Sequence, residues 1–183
     1  MEERLNFSEL STLVVDGERY SASIISQILR GFGMTRINVV GTAEDAKKHL
    51  VTGIYHLLIT EIDLADSSLG DFVSWIRHSP KDKLRYIPIV VLTGYTFFSW
   101  VETARDSGVN SVVRKPVSPA VLFDHIAWSA RTERPFIDAD GYAGPCRRFR
   151  FGEPAPGFSR RVSDSPAVLP MTDAAAIADE GET

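Results

Sequence analysis

Four residues in this chain are placed to do chemistry together. Each ends or follows a short apolar run: Asp16 after Leu13-Val14-Val15, Glu61 after His56-Leu57-Leu58-Ile59-Thr60, Thr93 after Ile89-Val90-Val91-Leu92, and Lys115 after Val112-Val113-Arg114. Short β-branched runs followed by helix-like segments read as parallel strands covered on both faces. In such sheets ligand chemistry gathers just beyond the carboxyl ends of the strands. Two carboxylates, a hydroxyl and an ammonium delivered to one place suit a phosphoryl group and its metal ion, because hard cations take carboxylates and transferring phosphoryl groups take metal and lysine.

The elements that must position these groups can be read from periodicity. Strands are expected near 11–16, 36–41, 55–60, 87–92 and 110–114, with helices near 19–32, 43–52, 70–78, 97–107 and 117–131. In the first helix Ile24, Ile25, Ile28, Leu29 and Phe32 recur at spacings of three and four, which gives one buried stripe. Gly31 and Gly33 suit its C-terminal cap, Thr42 an N-cap, and Ser118-Pro119 a cap followed by the first helical turn. Five β–α alternations imply a single parallel sheet with helices on both faces.

Composition excludes several classes. The 183 residues are 44% hydrophobic, enough for one good core with material left over. A net charge of −4 gives no reason to expect DNA binding. No apolar run approaches the length of a membrane span, and Met1-Glu2-Glu3-Arg4-Leu5 lacks the basic-then-apolar pattern of a secretory signal. The one cysteine, Cys146, cannot form an internal disulfide, so a reducing cytoplasm is expected.

The character of the chain changes after Arg131. Six of the ten prolines fall in residues 132–183, and proline removes a donor from regular pairing, so a largely irregular tail is expected there. The organisation is therefore read as a lead at 1–9, a main domain at 10–131, a Pro/Gly/Arg-rich extension at 132–162 and a disordered acidic, alanine-rich end at 163–183. Arg147, Arg148, Arg150, Arg160 and Arg161 fall in a stretch with a single acid, Glu153.

With Leu-Val-Val-Asp at 13–16, a strand ending at 61, Pro-Ile-Val-Val-Leu-Thr at 88–93 and Arg-Lys-Pro at 114–116, the chain resembles the receiver domain of bacterial response regulators, the CheY-like flavodoxin fold, over roughly 10–131. The resemblance implies a five-stranded parallel sheet, a role in two-component or phosphorelay signal transduction through protein contact, and no enzymatic activity. It also implies residue roles. The acceptor position is Glu61 where the family has aspartate, since Asp71-Phe72-Val73 and Ile76-Arg77 then fall on the family's third-helix pattern. Asp16 is the first of an acidic pair that holds magnesium, Thr93 tracks the phosphoryl oxygens, and Lys115 neutralises charge.

Three departures point to a pseudo-receiver. Glutamate carries its carboxylate one methylene farther out, and positioning errors of about 1 Å can cost on the order of a hundredfold in rate. Gly17 stands where the second acid of the pair belongs, so the magnesium site is impaired. Glu18 belongs to the turn entering the first helix, and Asp63 is the nearby substitute acceptor. Val112 and Val113 occupy the places where receivers carry a reporting aromatic. Phosphorylation is therefore not expected, and Glu61 reads either as a fixed charge holding one signalling state or as half of a structural Glu–Lys pair. No cofactor is expected.

Two further surfaces stand out. Tyr95, Phe97, Phe98 and Trp100 crowd the start of the helix at 97–107, more aromatics than a core anchor needs. They are expected at a surface for a signalling target, a kinase or a second copy, which would meet the face made by that helix and the strand at 110–114. The extension, with Arg134-Pro135-Phe136-Ile137 and the run from Tyr142 to Arg150, is similar to the arginine-rich extensions of CheY-like cyclic di-GMP effectors that act on motility. That likeness implies a cyclic dinucleotide bound by Arg147, Arg148, Phe149, Arg150, Arg160 and Arg161, with guanidinium groups on phosphates. The bland reading is a basic loop, with Pro135, Phe136 and Tyr142 laid against the main domain.

Overall fold

In the computed structural model, residues 7–94, 104–131, 134–139 and 141–146 are described. The sheet is built from β1 (Ser11–Val15), β2 (Arg36–Val40), β3 (Leu57–Glu61), β6 (Ile89–Thr93) and β7 (Ser111–Arg114), in the order β2-β1-β3-β6-β7. All four pairings are parallel. The strands start and stop within two residues of the positions expected from the apolar runs.

Alternation along the central strands divides the core in two. Leu13, Val15, Leu58, Ile89 and Val91 face α2 (Ala43–Thr52) and α3 (Leu69–Arg77), meeting Leu50, Phe72 and Ile76. Val14, Ile59, Val90, Leu92 and Val113 face α1 (Arg19–Gly31) and α5 (Pro119–Arg131), meeting Ile25, Leu29, Leu122 and Ile126. Both faces being covered is why these strands read as continuous apolar runs.

Local signals set the helix ends. The N–H groups of Gly33 and Met34 bond to Arg30 O and Leu29 O, the Schellman pattern, with Gly33 at φ +90. Thr42 Oγ1 accepts from Asp45 N at 3.2 Å, Ser68 Oγ from Asp71 N at 3.0 Å, and Ser118 Oγ from Val121 N at 3.3 Å. Asp66 adds a tertiary cap, accepting from Ala43 N at 2.8 Å and Glu44 N at 2.9 Å, so the loop after β3 is tied to the start of α2. Within that loop β4 (Asp63–Leu64) and β5 (Ser67–Ser68) form a small antiparallel pair. A single turn, α4 (Asp82–Arg85), precedes β6. The helix expected over 97–107 is seen as helical at 104–106, and the aromatics Tyr95, Phe97, Phe98 and Trp100 lie outside the described residues.

The extension expected to be largely irregular contains one regular unit. β8 (Phe136–Ala139) and β9 (Tyr142–Pro145) form an antiparallel hairpin docked on the main domain. Prolines are permitted here because Pro135 lies just ahead of the first strand and Pro145 ends the second. The sequence carries a hairpin signal, Asp140-Gly141, between the two strand segments, and Gly141 adopts φ +82. Docking is close. A Cβ on Gly108, itself at φ +95, would lie 2.3 Å from Ala143 O, and one on Gly144 would lie 2.6 Å from Gly108 Cα. Phe136 packs edge-on to Tyr86 at 4.7 Å, with the Arg77 and Arg85 guanidinium groups over its ring at 5.9 and 5.5 Å.

Candidate functional site at the strand ends

Asp16 directly follows β1, Glu61 ends β3, Thr93 ends β6 and Lys115 directly follows β7. Parallel register sets their depth. Val15 pairs with Thr60, Glu61 with Leu92, and Thr93 with Arg114, so the four positions lie at one rim of the sheet. Lys115 N donates to Thr93 O at 2.8 Å, which continues the ladder by one residue, and the Lys115–Pro116 peptide is cis.

The side chains meet. Lys115 Nζ bonds to Glu61 Oε2, to Asp16 Oδ2 at 3.2 Å and to Ser21 Oγ at 2.8 Å. Ser21 Oγ donates in turn to Asp16 Oδ2 at 2.6 Å, and Glu18 N donates to Asp16 Oδ1 at 2.9 Å. Asp16 is thus held by the first turn of α1, where the helix dipole favours a carboxylate. Side-chain exposure is 3% for Asp16, 14% for Glu61 and 24% for Lys115.

Burial pushes the Glu61 carboxyl up, and the Asp16 charge adds to that, against the lowering effect of Lys115. Burial alone would lower the Lys115 ammonium, but its bond to Glu61 and the charges of Glu61 and Asp16 prevail and raise it. Two carboxylates share one cation here. The ammonium is therefore firmly charged.

The other candidates differ in exposure. Glu18 is exposed and makes no side-chain cap bond; Asp63 is exposed on β4. Thr93 is buried. Ser21 was not singled out from sequence, since a serine on a helix has no distinctive spacing; only the fold places it between Asp16 and Lys115. Arg147, Arg148, Phe149, Arg150, Arg160 and Arg161 lie outside the described residues.

The donor set is poor for a divalent cation. Oxygens of Asp16 and Glu61 both lie on Lys115, Gly17 offers no carboxylate, and the described residues contain no group of three His, Cys, Asp or Glu side chains placed to hold a metal. A Cβ on Gly17 would meet Gly41 O at 3.3 Å, so a larger residue there needs a small shift. Among the described residues no helix is long and apolar enough to cross a membrane.

The response regulator receiver domain family matches residues 12–127. The chain is 25% identical over 108 residues to a probable chemotaxis protein CheY of Rhizobium etli, which covers 59% of this chain and 82% of that protein. It is 29% identical over 112 residues to a probable transcriptional regulatory protein, y4xI, of Sinorhizobium fredii, covering 60% of this chain and 45% of that longer protein. Among solved structures, CheY4 of Vibrio cholerae superimposes with a TM-score of 0.59 at 18% identity, covering 66% of this chain and 98% of that one. The receiver domain of a sensor histidine kinase from Pseudomonas aeruginosa, which has a magnesium ion in its active-site cleft, gives 0.59 at 21%, covering 66% and 97%. The sheet order, the acid–lysine cluster at the strand ends and a family match over more than half of the sequence agree: the chain belongs to the response regulator receiver domain family, the CheY-like modules of two-component signalling.

Proposed function

We propose that this receiver signals through protein contact without being phosphorylated, held in one state by its own Glu61–Lys115–Asp16 cluster. The observation that carries this reading is the shared ammonium. Lys115 bonds to Glu61 and Asp16 at once, with Ser21 closing the ring. A glutamate already engaged by the lysine presents a carboxylate that is displaced from an aspartate's position and paired, so the attack geometry of a receiver is lost. Gly17 withdraws the second acid that a bound magnesium would need. The protein acts as a cytoplasmic binding module rather than an enzyme, and its target is a protein.

Incubation with acetyl phosphate and magnesium tests this by intact-mass analysis. The wild-type chain is expected to stay unmodified, and a phosphorylated Asp63 or Asp16 would overturn the reading. The double substitution Gly17→Asp, Glu61→Asp is expected to restore labelling.

The alternative, a cyclic di-GMP effector, rests on the arginines at 147–161. What favours it is an anchored residue just ahead of the arginines in sequence: Cys146 N donates to Pro135 O at 2.7 Å and Cys146 O accepts from Arg134. Calorimetry with cyclic di-GMP on the wild-type chain and on a variant with Arg147, Arg148 and Arg150 changed to Ala separates the two readings. Binding that is lost in the variant favours the effector; no binding leaves the protein-contact reading alone.

A further inference from the structure

A cavity lies along the β7 edge of the sheet, beside the N-terminal half of that strand, away from Lys115. It is an open groove of about 550 Å³, mostly apolar and walled by Val109, Val112 and Trp128. Cavities of roughly 300–1,000 Å³ with apolar walls and a few polar groups are typical of small-ligand sites.

The polar groups in this cavity carry an imbalance of charge. Among the described residues Arg105 and Arg134 both line it, against one acid, Asp124, and Arg105 also pairs with Asp106 at 3.6 Å. Arg134 lies over Trp128, 5.0 Å from the ring centroid, and donates from Nη1 to Asn110 O at 3.1 Å and from Nη2 to Cys146 O. Its Nε–H is buried with no hydrogen-bond partner, and it has no ion-pair partner among the described residues. Burial pushes its pKa down. Burying an uncompensated cation is unfavourable, and an anion placed beside it removes that cost. His125 does not supply compensation: burial lowers its pKa and Ser111 Oγ lies against its Nδ1.

We propose that this cavity binds a flat aromatic ring carrying an acidic group, the ring against Trp128 and Val112 and the acid on Arg105 and Arg134. Aromatic rings stack on indole and guanidinium planes, and guanidinium forks match carboxylate and phosphate alike. Two sources fit that chemistry, an aromatic carboxylic acid and the base and phosphate of a mononucleotide. The proposal goes beyond the protein-contact reading and does not depend on it, because none of its residues belongs to the Asp16–Glu61–Lys115 cluster.

The test is a titration of the full ¹⁵N-labelled chain with 2-naphthoate and, separately, with guanosine monophosphate, following the Trp128 indole N–H, assigned by Trp128→Phe. At least one acid is expected to move this signal with a Kd on the order of 1 mM or below. The neutral partners, 2-naphthamide and guanosine, are expected to bind about tenfold more weakly, as loss of a charge-assisted contact implies. Arg105→Ala, at an exposed position, should weaken binding by a similar factor, and Val112→Trp, which sets an indole where the ligand ring would lie, should abolish it. Whichever acid binds more tightly identifies the source. Equal affinity for acid and amide, binding that survives Val112→Trp, or no shift of the Trp128 signal with either acid would overturn the proposal. Should Val112→Trp fail to fold, the acid–amide ratio and Arg105→Ala decide alone.

Discussion

Two cations at opposite ends of the sheet, one partly and one fully buried, are satisfied in different ways. Lys115, at the carboxyl end, is balanced by two carboxylates and a hydroxyl. Arg77, toward the amino end, is 1% exposed and is held by neutral oxygens: Nε donates to Gly108 O at 2.9 Å, Nη1 to Arg85 O at 2.7 Å and Ile87 O at 2.8 Å, and Nη2 to Asn110 Oδ1 at 3.0 Å. The lysine site is an electrostatic balance that a change in one partner can tip. The arginine site ties four segments together through geometry, α3, the turn at α4, the residues before β6 and the loop before β7, with Phe136 of the hairpin against its face. One end of this receiver is built to hold charge and the other to hold shape.

The largest effect is expected at the structural end. Arg77→Met keeps most of the volume but leaves the carbonyls of Gly108, Arg85 and Ile87 without this donor, at about 1–3 kcal/mol for each group that water cannot reach. A loss of about 4 kcal/mol is expected in urea melts, and a loss under about 1 kcal/mol would mean the arginine is not the tie described above.

Lys115→Ala comes next. Removing one partner of a buried pair costs about 3–5 kcal/mol, and solvent at the quarter-exposed ammonium reduces this to about 2 kcal/mol. The same melts check it. A loss below about 0.5 kcal/mol would mean that Asp16 and Glu61 do not depend on the ammonium.

The hairpin contact gives a third test. Phe136→Ala removes a half-buried ring from between two guanidinium groups and is expected to cost about 2 kcal/mol. Gly144→Ala drives a methyl into Gly108 and should expose the amides of β8 and β9 to hydrogen exchange. Unchanged protection in Gly144→Ala would show that the hairpin is not docked through this glycine pair.

The smallest effect concerns pH. The folded-state pKa of Glu61 is raised above its ordinary 4.5, so its contribution is fully present below that value and is lost as pH rises through the folded pKa. The stability of wild type relative to Glu61→Gln is therefore expected to fall slightly as pH is raised from below 4.5 through the folded pKa. A difference that grows over that range would reverse the assignment. Lys115, raised above 10.5, contributes below that value and loses its contribution as pH rises through its folded pKa.

Much of this protein was legible in its residues. Strand-end positions followed from where apolar runs stop, because a doubly covered parallel strand must be apolar throughout. Caps at Thr42, Ser118 and Gly33 followed from backbone chemistry confined to one turn. That Asp16, Glu61 and Lys115 share a rim followed from parallel order. Tertiary structure decided the rest. Ser21 joins the cluster only once α1 is laid against β7's end, and Asp66 caps α2 across a loop. Arg77 was expected only as part of the third-helix pattern, yet it is buried because three carbonyls and an amide from distant segments converge on it. The hairpin at 136–145 was obscured by its prolines and glycines, which break regular structure in general; here Gly144 is what allows the hairpin to approach Gly108. Local sequence sets what each segment can form, whereas satisfaction of buried polar groups by distant segments depends on the whole chain.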